Sequence, residues 1–157
     1  MKVLFVCLGN ICRSPMAEGV FRYELAKQGL DKRFEIDSAA TSRYHIGSEP
    51  DRRAQATTMK HGIDISGLRG RQVKPSDFSH YDYVLAMDKE NLANLKSICP
   101  PEYQDRIALF LDHATGIETQ EVPDPYYGGQ GGFDMVFGLL RNASQGFIRE
   151  LIANHKQ

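Results

Sequence analysis

Val3-Leu4-Phe5-Val6-Cys7-Leu8-Gly9-Asn10-Ile11-Cys12-Arg13-Ser14-Pro15 is the stretch that decides the fold. It opens with a continuous apolar, β-rich run, Val3 to Val6, the pattern of a strand buried on both faces. Gly9 and Asn10 break that run. Ser14-Pro15 then starts a helix, because proline suits the first helical position and disfavours helical backbone at Ser14, leaving the serine side chain free to cap. The spacing of Ala17, Val20, Phe21 and Leu25 predicts a helix from Pro15 to about Gln28, closed by Gly29. Strand, short loop and helix are the start of a β-α-β unit, whose right-handed crossover sets the next strand parallel to the first.

Outward from this stretch the alternation continues. Phe34 to Ser38 reads as a second strand, and residues 40 to 49 as a polar loop. Pro50 opens a helix that stops at His61-Gly62, with Ala54, Ala56 and Met59 as its inward stripe. Tyr83 to Met87 repeats the buried-strand pattern. Asp88 then caps a helix whose Leu92, Leu95 and Ile98 face inward until Pro100-Pro101 forbids continuation. Ile107 to Leu111 is a fourth strand, followed by a long loop through Glu121-Val122-Pro123-Asp124-Pro125-Tyr126-Tyr127-Gly128-Gly129. A terminal helix buries Phe133, Val136, Phe137, Leu140, Phe147 and Leu151. The expected fold is α/β: a three-layer sandwich, one domain over residues 1–157, with a mainly parallel four-stranded sheet and helices on both faces. Ligand crevices in such sheets lie beyond the carboxyl ends of the strands. The loop after the first strand is therefore the first place to look for chemistry.

The 157 residues are 41% hydrophobic and 25% charged, which excludes a disordered tail, a fibre or a membrane bundle. Nineteen Lys+Arg against twenty Asp+Glu leave a formal charge of -1, so neither nucleic acid nor an anionic membrane is an expected partner. Any bound anion must be met by local geometry. Cys7, Cys12 and Cys99 are an odd set in a chain large enough to fold on its core, which favours reduced thiols over a disulfide framework. The apolar run at the N-terminus is too short for a signal peptide or a bilayer span, so a cytoplasmic location is expected. His45, His61, His80, His113 and His155 are scattered and read as surface residues or caps. With no zinc-like spacing among cysteines and histidines, neither metal nor other cofactor is expected.

Between Cys7 and Ser14 the chain has the composition of an anion nest. Gly9 permits unusual dihedrals and Asn10 tolerates a left-handed one, so the N–H groups of Leu8, Gly9, Asn10, Ile11, Cys12 and Arg13 can converge on phosphate. Arg13, six residues after Cys7, adds a planar fork that grips two oxygens. Cys7 would lie beneath the anion, among N–H groups, a helix N-terminus and a guanidinium that all favour a thiolate nucleophile. The loop lacks the Gly-Lys-Ser/Thr ending of a nucleotide-binding P-loop, so ATP hydrolysis is disfavoured. A cysteine at the end of a buried strand is also a common core residue. Packing and chemistry stay equally open for Cys12, whereas Cys99, in the last turn of a helix, reads as structural. Asp124, mounted between two prolines, is either a plain turn residue or a stiffly held proton donor. Adjacent Tyr126 and Tyr127 in a glycine-rich loop suit ligand contact. Asp51-Arg52-Arg53 and Arg69-Gly70-Arg71 read as solvated faces.

At these residues the sequence resembles the low-molecular-weight protein tyrosine phosphatases. The Cys-x5-Arg-Ser signature stands here as Val6-Cys7-Leu8-Gly9-Asn10-Ile11-Cys12-Arg13-Ser14-Pro15, continued by Ala17 and Glu18, and Asp-Pro-Tyr-Tyr stands at Asp124 to Tyr127. The likeness extends along essentially the whole chain, including Asp37-Ser38-Ala39 and Asp82-Tyr83 to Met87-Asp88. It implies hydrolysis of phosphotyrosine in proteins and of small aryl phosphates through a phosphocysteine. Cys7 would be the nucleophile, Arg13 the phosphate ligand, and Asp124 the general acid and then base. It also implies that the Ser14 hydroxyl hydrogen-bonds the thiolate, that Asn10 braces the loop, and that Tyr44, Tyr126 and Tyr127 wall the substrate cleft. Inorganic phosphate and vanadate would inhibit, and Cys12 would form a reversible disulfide with an oxidised Cys7. One departure is visible. Many animal members carry a histidine just before the Ala-Arg-Gln stretch to support the loop asparagine, and Ser66 to Gln72 contain none, so support is expected from other partners, Ser38 or backbone among them. An arsenate reductase and a non-catalytic phosphotyrosine-binding module are the competing classes. The first needs a cysteine relay that would have to use Cys99, and the second has no need of a nucleophile and an acid.

Overall fold

The computed structural model describes residues 1–126 and 128–154; Tyr127 and His155 lie outside the described residues. Among the described residues the sheet has four parallel strands in the order β2-β1-β3-β4: β1 (Lys2–Cys7), β2 (Glu35–Ala40), β3 (Tyr83–Ala86) and β4 (Ile107–Leu109). Helices α1 (Arg13–Lys27), α2 (Arg52–Met59) and α5 (Gln130–Asn154) share one apolar layer with one face of the sheet. The short α3 (Ser76–His80) and α4 (Lys89–Ile98) cover the other. Strand β1 explains why both faces must be covered, because Val3, Leu4, Phe5 and Val6 are all fully buried. Val3 and Phe5 point to the α1/α5 side and Leu4 and Val6 to the α3/α4 side, as the two-residue period of a strand requires. Phe5 makes edge contacts with Phe21 of α1 and Phe110, at 5.5 and 4.9 Å between ring centroids. All six apolar residues expected to be buried on α5 are buried.

Several expectations are corrected. Helix α1 begins at Arg13, not Pro15, so Ser14 lies inside the first turn; Cys12 is the N-cap residue and makes no side-chain capping bond. Pro15 is tolerated there because the first-turn N–H groups have no intrahelical partner in any case. Strand β2 runs on to Ala40, and β4 stops at Leu109 before a 3₁₀ turn over Phe110–His113. Helix α2 is shorter than expected and buries Ala54, Thr57 and Thr58, leaving Ala56 and Met59 exposed. Both threonine hydroxyls bond backbone carbonyls within the helix, which lets polar residues line its inner face. On α4, Leu95 is buried but Ile98 is about half exposed, since the stripe turns to solvent as the helix ends. Asp88 does cap α4, accepting from Asn91 N at 2.8 Å. His61 stacks on Phe137, His80 pairs with Glu35, and His113 packs on Phe147 and bonds Glu150, so these three are more than free surface side chains.

The chain leaves β1 for β2 on one side and later reaches β3 on the other, so strand order reverses at β1. Such a reversal opens a crevice at the carboxyl ends of the strands. Cys7 ends β1, Asp88 follows β3, and Val122 is held there by its N–H on Met87 O at 2.8 Å.

Candidate active site

Cys7 is carried into the crevice by β1 and is almost fully buried. Its Sγ accepts a hydrogen bond from Asn10 N at 3.2 Å and lies 3.1 Å from Ser14 Oγ. Direction follows from the third contact, in which Asn10 Nδ2 donates to Ser14 Oγ at 2.7 Å. Ser14 is thereby an acceptor from Asn10, and its own hydrogen faces the sulfur at 3.1 Å in preference to Ala39 O at 3.5 Å, so Asn10 N and Ser14 Oγ both donate to Cys7. The hydroxyl expected to cap the helix serves the nucleophile instead.

The bend of the loop is made at Asn10, whose φ of 58° is the only left-handed value of a non-glycine residue among the described residues. Its side chain sustains that conformation, since Nδ2 bonds Ser14 and Oδ1 accepts Arg71 N at 3.1 Å. Loop support thus comes from backbone. Ser38, the other candidate, donates to Glu18 instead.

Arg13 is 2% exposed. Its Nη1 donates to Asp88 Oδ2 at 2.6 Å and to Val122 O at 3.0 Å, while Nη2 stands 3.7 Å from Asp124 Oδ2. Among the described residues Nε has no hydrogen-bond partner. Nη1 is therefore fixed by protein, while the Nε/Nη2 edge, with Nε unbonded and Nη2 in a long ion pair with Asp124, has the shape of a two-point anion contact. Burial alone would disfavour the charge, but the Cys7 sulfur and the carboxylates of Asp88 and Asp124 outweigh it and raise the Arg13 pKa.

These groups line a cleft of about 330 Å³, with Cys7, Arg13 and Asp124 at its chemical end and Tyr44, His45 and Tyr126 around it. Tyr44 is 84% and Tyr126 40% exposed, so both present rings to an incoming ligand. Leu8, Gly9, Ile11 and Cys12 complete the lining on the loop side. A larger hollow of about 590 Å³ beside Lys2, Arg71 and His80 has no cysteine in its lining, so chemistry and not size singles out the cleft at Cys7. Cys12 is buried, and desolvation, reinforced by Asp51, Cys7 and Asp124, pushes its thiol up, leaving it protonated beside Cys7. Cys99 packs in the core on the other face of the sheet from Cys7 and Cys12.

A hydrogen-bonded cysteine sulfur, a buried guanidinium and a carboxylate thus line one cleft. The family model for low molecular weight phosphotyrosine protein phosphatase matches residues 2–157. The chain belongs to this family. It is similar to the phosphatases of the same description from Schizosaccharomyces pombe, 44% identical with 96% of this chain and 97% of that protein covered, and from Homo sapiens, 41% identical with 95% and 94% covered. It is also similar to the crystal structure of a protein tyrosine phosphatase from Entamoeba histolytica with Hepes in the active site, at a TM-score of 0.95, 42% identity and 98% coverage of both chains.

As a low molecular weight phosphatase, the protein uses residues that sequence reasoning missed. Arg71, read as a solvated charge, is pinned by Asp37 at 2.9 Å and by a two-point bond to Asp77, and this holds its backbone N–H on Asn10. Asp88 was read only as a cap, yet its second oxygen fixes Arg13. His45 lines the cleft, where its ring packs on Gly9. Arg53, another supposed solvated charge, reaches the loop that carries Asp124. Only the pairing of Asp88 with a helix start had a local signal.

Gly70 holds this phosphatase's cleft wall in place. It exchanges backbone hydrogen bonds with Gly47 and Ser48, at 2.8 and 2.9 Å, and a Cβ added there would fall 2.3 Å from the His45 carbonyl oxygen. Gly70→Ala must therefore displace backbone that carries His45 on one side and Arg71 on the other. We expect a loss of about 1–3 kcal/mol in stability together with a lower kcat/KM. Thermal unfolding and aryl phosphate kinetics check this, and wild-type values in both would remove the glycine from that role.

Proposed function

We propose that the chain, acting as one domain over residues 1–157, hydrolyses phosphotyrosine in proteins and small aryl phosphates through a phosphocysteine. The observation that carries this reading is the buried Arg13, its Nε without a hydrogen-bond partner among the described residues, in the same cleft as a doubly hydrogen-bonded Cys7 sulfur. The ester phosphate binds to the Nε/Nη2 edge of Arg13 and to the loop N–H groups of residues 8–13. Cys7 Sγ attacks phosphorus in line, the bond to the aryl oxygen breaks, and Asp124 gives its proton to the departing oxygen. Water then attacks the phosphocysteine, Asp124 takes its proton, and the sulfur leaves as thiolate with release of inorganic phosphate. Ser14 stabilises that thiolate in both steps. Tyr44 and Tyr126 flank the phenyl ring, and Tyr127 is assigned to the same wall from sequence. Free phosphate and vanadate would compete at the Arg13 edge. The three free cysteines fit a reducing, cytoplasmic setting, and among the described residues no helix is long and apolar enough to cross a membrane. Cys99, on the opposite face of the sheet, does not favour a reductase relay.

The direct test is acid quench of the enzyme with labelled aryl phosphate, followed by peptide mapping, which should find phosphate on Cys7. Asp124→Asn should slow phosphorylation most for poor leaving groups, roughly 10²-fold or more for phenyl phosphate and far less for 4-nitrophenyl phosphate. An equal drop across a leaving-group series would take the proton away from Asp124.

Cys12 has a proposed redox role at the same site. Peroxide converts an accessible Cys7 thiolate to the sulfenic acid, and attack by Cys12 sulfur expels water and closes a disulfide that a dithiol reopens. Since the buried Cys12 is held protonated, closure should be faster at higher pH. Wild type should regain activity with dithiothreitol where Cys12→Ser does not. Equal recovery, with no Cys7–Cys12 linked peptide by mass spectrometry, would return Cys12 to packing.

A further inference from the structure

We propose that Arg53 is a positioning residue, a strut that fixes the proton-donor loop against the phosphate loop; this role rests on Asp124 being the general acid. Arg53 is not among the residues lining the cleft, and its side-chain hydrogen bonds among the described residues go to Asp51, Tyr126 and Gly128. Its connections run between the two loops. Asp51 N donates to Ile11 O at 2.8 Å, which ties Asp51 to the phosphate loop. The Asp51 carboxylate then receives Arg53 Nε and Nη2, each at 3.1 Å, in a two-point pair. From the far side of the same guanidinium, Nη2 donates to Tyr126 O at 2.9 Å and Nη1 to Gly128 O at 3.3 Å. The group also lies over the Phe133 ring, 4.7 Å from its centre, at the start of α5.

These bonds explain how Asp124 is held from both sides. Before it in the chain, Val122 O is bound by Arg13 and Val122 N by Met87. After it, Tyr126 O and Gly128 O are bound by Arg53. Between these anchors Pro123 and Pro125 restrict φ, and Tyr126 N bonds Asp124 Oδ1 at 3.0 Å, which leaves Oδ2 on the Arg13 side. A carboxylate must meet the leaving oxygen within hydrogen-bond reach, and an error of about 1 Å in such a placement costs up to about 10²-fold. Arg53 grips backbone and not the carboxylate itself. Its loss should therefore misplace the acid while the cradle, built from Cys7, Asn10, Arg13 and Ser14, keeps its affinity for phosphate. A lysine could not replace it, because one ammonium cannot hold a carboxylate edge and two carbonyls together.

The test is a double-mutant cycle read on leaving groups. Arg53→Met keeps an unbranched apolar side chain of similar reach and removes every donor, the guanidinium over Phe133 included. We expect kcat/KM for phenyl phosphate to fall about 10- to 100-fold, the loss for 4-nitrophenyl phosphate to be much smaller, and the inhibition constant of inorganic phosphate to stay unchanged. In an Asp124→Asn background the same change should add no further leaving-group dependence. Arg53→Lys should fall between wild type and Arg53→Met, and it carries the test should Arg53→Met fail to fold by circular dichroism. Equal losses on both esters, or an additive effect in the Asp124→Asn background, would overturn the strut. If Asp124→Asn itself shows no leaving-group bias, the assignment of the acid fails first, and the strut falls with it for a distinguishable reason.

Discussion

Cys7→Ser should leave a folded protein that binds phosphate and does not turn over. Serine oxygen can take the two hydrogen bonds that Asn10 N and Ser14 make to the sulfur, so the loop keeps its shape. Arg13 is untouched, so the phosphate contact proposed for its Nε/Nη2 edge should survive. On the proposed mechanism what is lost is the polarisable sulfur nucleophile, for which a far less acidic hydroxyl is a poor substitute. Removal of a covalent nucleophile costs roughly 10⁴-fold or more in kcat, with binding largely spared. Calorimetric titration with inorganic phosphate, alongside steady-state hydrolysis of phenyl phosphate, separates the two effects. Hydrolysis near the wild-type rate that survives repurification would remove Cys7 from the nucleophile role.

Arg13→Lys is the second large effect, and here charge is conserved while geometry is not. Arg13 uses Nη1 on Asp88 and Val122, and on the proposed mechanism Nε and Nη2 meet the anion. A single ammonium on a shorter stem would settle on Asp88, the nearest carboxylate, and leave nothing for two phosphate oxygens. The cost of losing preorganised donors to transition-state charge is about 10²–10³-fold for each. Kcat/KM for phenyl phosphate should fall by at least that factor, with weaker inhibition by phosphate. Near-normal values for both would show that the fork is not what binds the anion.

How much of this was legible depends on the range of the interaction concerned. The strand Val3 to Cys7, the break at Gly9-Asn10 and the helix after it are local patterns, and the structure keeps all three. The all-parallel sheet follows from alternation of strands and helices. The inner face of α2 was misread because Thr57 and Thr58 satisfy their hydroxyls inside the helix, which no hydrophobic count registers. Ile98 was misread for a different reason, since periodicity continues past the point where the helix leaves the core.

The candidate site divides in the same way. Cys7, Asn10, Arg13 and Ser14 stand within eight residues, so their spacing and the glycine-rich bend were enough to suggest a nest with a thiol beneath it. Asp124 and the tyrosines beside it were recognisable only through a motif, because nothing local brings residue 124 to residue 7. The reversal of strand order at β1 does that.

By itself, then, the sequence determined the α/β alternation, the loop from Cys7 to Ser14 and the family. Tertiary structure decided which charges serve that loop. Asp88 could be read as a cap but not as the partner of Arg13, and Arg53 and Arg71 looked like solvent-facing cations. Each acquires its role across 75, 73 and 61 residues of chain: Asp88 to Arg13, Arg53 to Tyr126, and Arg71 to Asn10. The physical reason is that a charged side chain has no periodic signature of its own, and its partner is chosen only when packing of the apolar faces has set the loops side by side.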